Sequence, residues 1–159
     1  MRRKLKSFFK RSIQADPEIS SNDLIQSLNL FVQSIHKRVP TEVFSLVSSI
    51  RDSIHQIIPQ INDINSSEPY VFSIRRTVES YLPEAVENYL KLPASKARYE
   101  VIKNGKTATD LLVEQLQILD NEMKEIVGDL SQNNVQKMLV HGRFLDNRFG
   151  KSDWLKIDD

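Results

Sequence analysis

Apolar residues recur at steps of three and four through most of this chain, which is the spacing of amphipathic helices. The pattern predicts core helices near residues 23 to 38, 41 to 61, 69 to 92 and 108 to 149. The breaks between them are short, so successive helices should pack side by side in opposite directions. We therefore expect an all-α fold: an antiparallel helical bundle of four to five core helices, with a separate basic amphipathic helix at the N-terminus.

Each helix should bury one apolar stripe, and polar residues mark the expected helix starts. Ser20-x-x-Asp23 and Thr107-x-x-Asp110 have the spacing of capping boxes, and Pro69 suits the first turn of the third helix. The expected buried positions are Leu24, Leu28, Phe31 and Ile35, then Val43, Val47, Ile50, Ile54, Ile57 and Ile61, then Val71, Ile74, Val78, Tyr81, Val86, Tyr89 and Leu90, then Leu112, Leu116, Leu119, Met123, Ile126 and Leu130, and finally Val135, Met138, Gly142, Leu145 and Phe149.

Prolines and glycines should interrupt these helices. Pro59 is expected to kink or end the second helix, and Leu82-Pro83 to break or bend the third. Asn104-Gly105 suits a type I′ turn, so residues 99 to 106 could form a hairpin. A loop is the preferred interpretation, because one isolated hairpin is only marginally stable in water.

Charge is distributed very unevenly along the chain. The first thirteen residues contain six basic side chains and no acidic one, whereas the chain as a whole has a net charge of only +1. Residues 1 to 21 are therefore interpreted as a basic arm and linker, 22 to 150 as the bundle domain, and 151 to 159 as a tail. The candidate anionic-surface residues are Arg2, Arg3, Lys4, Lys6, Lys10 and Arg11, and the candidate membrane-inserting or partner-packing residues are Leu5, Phe8, Phe9 and Ile13.

Candidate chemistry is sparse. The chain has no cysteine, no phosphate-binding loop and no Gly-x-Ser-x-Gly elbow. His55 follows Asp52 at a spacing that shares a helix face, but a di-iron bundle site needs two such pairs and two further carboxylates. His141 is expected on the surface. We therefore predict no catalytic, cofactor-binding or metal-binding residues and no cofactor.

A family resemblance covers roughly residues 41 to 150. Its motifs are Tyr-Leu-Pro-Glu from Tyr81, Asn-Gly-Lys-Thr-Ala from Asn104 and His-Gly-Arg-Phe-Leu from His141. These resemble an uncharacterised helical domain of actinobacterial and cyanobacterial proteins. More distantly, the Tyr-Leu-Pro sequence and the amphipathic helices after it resemble those of helical proteins associated with bromochloroindolyl phosphate hydrolysis (XpaC) and with toxic-anion resistance (TelA). The resemblance implies a bacterial helical module and brings no catalytic motif.

Together these features predict a non-catalytic helical interaction module in the cytoplasm, with peripheral membrane association through the arm as one option. The expected partners are an unknown protein and an anionic membrane surface, and a homo-oligomer stays open. The acidic body argues against duplex binding. Open alternatives are a hydrolase-related protein, nucleic-acid contact through the arm, an organellar transit peptide, and an arm that simply packs on its own bundle.

Overall fold

The computed structural model describes residues 18 to 132, and within them the fold is all-α apart from one small hairpin. Residues 1 to 17 of the predicted arm and linker, the part of the predicted 108 to 149 helix beyond residue 132, and the tail lie outside the described residues. In chain order, the elements are α1 (Ser21–Ile35), α2 (Thr41–Ile57), a 3-10 turn (Ile58–Gln60), α3 (Pro69–Arg76), a π-helical turn (Thr77–Tyr81), α4 (Leu82–Leu90), α5 (Ala94–Tyr99), β1 (Val101–Lys103), β2 (Lys106–Thr107) and α6 (Ala108–Ser131).

The helix starts follow the local signals in the sequence. The Ser20 hydroxyl accepts the Asp23 amide and caps α1. Thr107 and Asp110 form a complete capping box at the start of α6, each side chain accepting the other residue's backbone amide. Pro69 is in the first turn of α3, where its missing amide hydrogen costs nothing. The Thr107 capping box and the Pro69 placement are confirmed, whereas at Ser20 the N-cap is confirmed and only the hydroxyl half of the predicted box is formed.

The core lies chiefly between α2 and α6, which pack along each other, and α1 covers α2 from another side. Since only residues 36 to 40 separate α1 from α2, these two helices run antiparallel. The predicted apolar stripes are buried almost throughout, which confirms the helical periodicity. Three predicted positions, Phe31, Leu90 and Leu130, are only partly buried, and in α1 Val32 is buried instead. The stripe predicted from Val135 to Phe149 lies outside the described residues.

The two internal prolines act differently. Pro59 ends α2, as predicted, and the chain continues as one 3-10 turn. Pro83 does not interrupt its helix: the backbone stays right-handed helical from α3 through the π-helical turn into α4. The Leu82 amide donates to the Thr77 carbonyl, five residues back instead of the four of an α-helix, so the helical turn just before Pro83 contains one extra residue. This wider turn accommodates a residue that can donate no hydrogen bond.

The loop preferred for residues 99 to 106 is wrong. The structure has the short helix α5 followed by an antiparallel hairpin with the turn at Asn104-Gly105. Both turn residues have positive φ, 52° at Asn104 and 74° at Gly105, as a type I′ turn requires. The hairpin is not isolated, because β2 contacts α5 and α6 and Ile102 packs on the core. That support supplies the stability that an isolated hairpin lacks.

Candidate interaction surfaces

The arm residues predicted to bind an anionic surface or to insert into it all lie outside the described residues: Arg2, Arg3, Lys4, Lys6, Lys10, Arg11, Leu5, Phe8, Phe9 and Ile13. What the structure does describe is the place where the chain enters the bundle after the arm. Sequence reasoning assigned residues 14 to 21 to a linker, whereas Ile19 is bound to the bundle and Ser21 is already helical.

Asn65 holds the chain at Ile19. The Ile19 amide donates to Asn65 Oδ1 at 2.9 Å, and Asn65 Nδ2 donates to the Ile19 carbonyl at 2.9 Å. The side-chain amide thus satisfies both backbone groups of one residue, much as a neighbouring strand would. We call this pair of hydrogen bonds the Ile19 clamp. It fixes the position of the Ile19 backbone on the bundle.

The clamp is supported from α3. Arg75 donates from Nη1 to Asn65 Oδ1 at 3.1 Å and pairs through Nη2 with Glu79 at 3.4 Å. The Arg75 side chain is only 12% exposed, which limits its freedom and screens the pair from water. Glu79 lies in the π-helical turn. The clamp is therefore connected to the irregular turn of the third helix through one partly buried guanidinium.

The loop that carries Asn65 is ordered by its own polar side chains. The Asp63 carboxylate accepts a hydrogen bond from the Asn65 backbone amide, and the Asp63 carbonyl accepts one from the Ser66 amide. The Ser66 hydroxyl accepts a hydrogen bond from the Glu68 amide. Such local bonds are typical of Asx turns and serine turns. Sequence reasoning interpreted this segment only as a polar loop. The closely spaced Asp63, Asn65 and Ser66 were the available signal that it has a fixed shape.

A second surface is formed by the α5–hairpin segment. Residues 91 to 106 contain five basic side chains and one acidic one, a net charge of +4, while the other described residues sum to −9. Tyr99 is 79% exposed and Val101 is 62% exposed. We call Arg98, Tyr99, Val101 and Lys103 the hairpin surface. It combines exposed apolar area with positive charge on a body that is otherwise acidic.

Of the five basic side chains in this segment, two form ion pairs, Lys91 donates to Asn88 Oδ1 at 3.4 Å, and two have no such partner among the described residues. Lys106 pairs with Glu114 of α6, and Lys96 pairs with Glu100 at 3.9 Å. Among residues 18 to 132, neither Arg98 nor Lys103 makes an ion pair or a side-chain hydrogen bond. The unpaired positive charge is therefore concentrated beside Tyr99 and Val101.

The backbone beneath the hairpin surface is held firmly. Tyr89 of α4 hydrogen-bonds through its hydroxyl to Thr109 Oγ1 at 2.8 Å, and Thr109 Oγ1 donates to the Ala97 carbonyl at 3.0 Å. This buried chain of bonds connects α4, α6 and α5. Thr107 both pairs with Val101 in the hairpin and caps α6. The hairpin surface is thus presented on a preorganised support.

The Asp52–His55 pair considered from the sequence does not form a metal or catalytic site among the described residues. His55 Nε2 hydrogen-bonds to Asn29 Oδ1 of α1 at 3.0 Å, while Asp52 pairs with Arg51 at 3.1 Å. His36 stacks at a tilt on Phe44, with 4.6 Å between ring centroids. His141 lies outside the described residues. Within residues 18 to 132, no group of three or more His, Asp or Glu side chains could hold a metal ion.

Several buried polar side chains occur on α6, where the sequence pattern gave no warning of them. Asp120 is 2% exposed and binds Lys124 Nζ through Oδ2 at 3.0 Å. Gln115 is 3% exposed, and neither its Oε1 nor its Nε2 has a hydrogen-bond partner among the described residues. Both belong to the flanks of the apolar stripe, so helical periodicity alone left them on the surface.

Burial raises the pKa of the Tyr70 phenol above its usual range, and the neighbouring Glu68 carboxylate adds to the rise. Tyr70 is therefore a neutral hydroxyl at physiological pH. Within residues 18 to 132, no helix is both long enough and apolar enough to cross a bilayer.

Comparisons with protein-family models, curated proteins and solved structures found no match to this chain. The resemblance drawn from the three sequence motifs therefore stays a prediction. Its Asn-Gly-Lys-Thr-Ala motif spans the hairpin turn and the α6 cap. Local structure alone thus accounts for that motif.

Proposed function

We propose that this protein is a non-catalytic helical interaction module whose basic arm binds the anionic surface of a membrane. The observation that carries the proposal is the separation of charge. Six basic residues fall within the first thirteen positions, whereas residues 18 to 132 have eleven basic and sixteen acidic side chains, a net charge of −5. Near an anionic bilayer, the arm is attracted while the body is repelled.

The energies favour a stable contact. Each basic residue close to an anionic bilayer contributes about 1 kcal/mol, so the six together give up to about 6 kcal/mol. Leu5, Phe8, Phe9 and Ile13 add apolar area that can enter the interface. Repulsion of the acidic body is weaker at physiological salt, because the Debye length is only about 8 Å.

The Ile19 clamp supports this role. It fixes Ile19 on the bundle, and we propose that an arm bound to a membrane is tethered to the body at this point. Ile19 is only six residues from Ile13, the last residue of the proposed anchor. A bound arm would therefore keep the bundle close to the membrane surface.

Vesicle co-sedimentation of the full chain tests the proposal. We expect binding to phosphatidylserine-containing vesicles that weakens steeply with salt, and little binding to zwitterionic phosphatidylcholine vesicles. Replacing four arm residues by glutamine (Arg2, Arg3, Lys4 and Lys6) should remove most of it.

A matched control keeps the arm and lowers the net charge of the body by the same amount, through Gln→Glu changes at exposed Gln33, Gln56, Gln60 and Gln117. If both variants lose binding equally, net charge rather than the arm governs it. A wild-type chain that does not bind anionic vesicles, or that shifts duplex DNA at lower concentration, would overturn the proposal.

A further inference from the structure

We propose that the hairpin surface binds an acidic, partly apolar segment of a partner protein. The inference builds on the role of the chain as an interaction module, but it requires no membrane binding by the arm. Its basis is the juxtaposition of exposed Tyr99 and Val101 with the unpaired charges of Arg98 and Lys103.

Their arrangement follows from the backbone. Glu100 is extended, and in β1 Val101 and Lys103 are exposed while Ile102 between them is partly buried, although the pairing with β2 has a register shift between Val101 and Lys103. Ile102 packs on the core. Tyr99 ends α5 and is separated from β1 by Glu100, whose carboxylate pairs with Lys96. An apolar pair and two cations therefore line one short stretch of chain.

Tyrosine and arginine are enriched among the residues that contribute most to protein–protein binding, because each offers a large contact area together with polar groups. The support under the hairpin surface is already ordered by the bonds among Tyr89, Thr109 and Ala97. Binding would consequently cost little backbone entropy.

Charge and position favour a short acidic segment over the other anionic partners. A nucleic acid strand gains affinity from many phosphate contacts, yet beyond this small basic region the described body has a charge of −9. The hairpin surface is also well separated from the Ile19 clamp, the first described contact of the chain that follows the arm. The continuous helix from Pro69 to Leu90 is about 33 Å long, with the Ile19 clamp near its start and the hairpin support at its end. A peptide-sized partner fits within the basic region.

The probe is a short fluorescein-labelled peptide in which Glu alternates with Leu and Phe, followed by anisotropy against the full-length protein at about 0.1 M salt. A peptide with Lys in place of Glu serves as the charge-inverted probe. We expect the acidic peptide alone to bind. Arg98→Gln/Lys103→Gln and Tyr99→Ala should each weaken binding about tenfold, the loss typical of a hot-spot contact.

Two controls isolate the surface. Gln33→Glu/Gln117→Glu changes the net charge by the same amount at exposed helix positions, and Leu30→Ala removes a side chain that is 59% exposed elsewhere. Both should bind the peptide as the wild type does, and so should the four-residue arm variant. The hairpin variants should in turn keep wild-type vesicle binding, so failure of one proposal is distinguishable from failure of the other.

Three results would overturn the inference. The first is no binding of the acidic peptide. The second is binding that the hairpin variants leave unchanged. The third is a hairpin-dependent interaction that appears only with single-stranded DNA or with anionic vesicles, each measured with the same set of variants.

Discussion

Replacing Asn65 by alanine should release the chain at Ile19 while leaving the helical core intact. The substitution removes three hydrogen bonds: two with the Ile19 backbone and one from Arg75. Each such bond has a net value of about 0.5 to 1.5 kcal/mol. All the groups are only partly buried, so water replaces some of the lost bonding. We therefore expect the free energy of unfolding to fall by about 2 kcal/mol.

The loss should be concentrated at the start of the described chain. The Ile19 amide would lose its acceptor, and the guanidinium of Arg75 would keep only Glu79. Urea unfolding followed by circular dichroism measures the global effect, and hydrogen exchange of the peptides covering residues 18 to 24 measures the local one. We expect exchange at Ile19 to become at least about tenfold faster, since 1.4 kcal/mol corresponds to a factor of ten.

Asn62→Ala is the matched control. Asn62 belongs to the same loop, is exposed, and makes no hydrogen bond through its side chain to residues 18 to 132. It should change neither stability nor exchange at Ile19. If Asn65→Ala has the same small effect as the control, the clamp does not hold the chain and the proposed tethering point of the arm is wrong.

The remaining predictions concern packing and backbone conformation. Gly128→Ala should stabilise the protein by up to about 1 kcal/mol, because alanine has the higher helix propensity and a Cβ there would meet no atom of the described residues within 4 Å outside its own helix backbone. Gly105→Ala should destabilise the protein by about 1 kcal/mol, because the φ of 74° at Gly105 is unfavourable for a residue with a Cβ. The urea unfolding midpoint should rise for Gly128→Ala and fall for Gly105→Ala, and midpoints that shift in the same direction would contradict the two predictions. Gln115→Met should raise stability by about 1 kcal/mol by removing a buried amide without partners among the described residues, whereas Gln117→Met at an exposed position should not; a loss at Gln115 would show that its amide is bonded. Tyr89→Phe should cost about 1 to 2 kcal/mol in thermal unfolding, because the buried Thr109 hydroxyl loses a donor, and an unchanged Tm would refute that role.

Local features of the sequence determined the helices and their ends. The three-and-four spacing in α2 places Val43, Val47, Ile50, Ile54 and Ile57 on one face of any helix, whatever the rest of the chain does. The caps at Ser20 and Thr107 involve residues three apart. Information of this kind is contained within one or two turns, so it could be extracted without knowing the partners of each helix.

The candidate surfaces were harder to predict. The Ile19 clamp joins residues 46 positions apart, and no local pattern marks Asn65 as the partner of Ile19. The Asn104-Gly105 turn was visible as a signal, but its local preference is too weak to stabilise two short strands alone. Contact of β2 with α5 and α6 decided that the hairpin forms.

The sequence by itself thus determined that this protein is helical, where most helices begin, and that its positive charge is concentrated at the N-terminus. Tertiary structure decided that the chain after the arm is fastened at Ile19, that the helix continues across Pro83, and that Tyr99 and Val101 are exposed beside Arg98 and Lys103. The physical reason is range: periodicity and capping act over a few residues, whereas exposure and long-range hydrogen bonds depend on which elements meet.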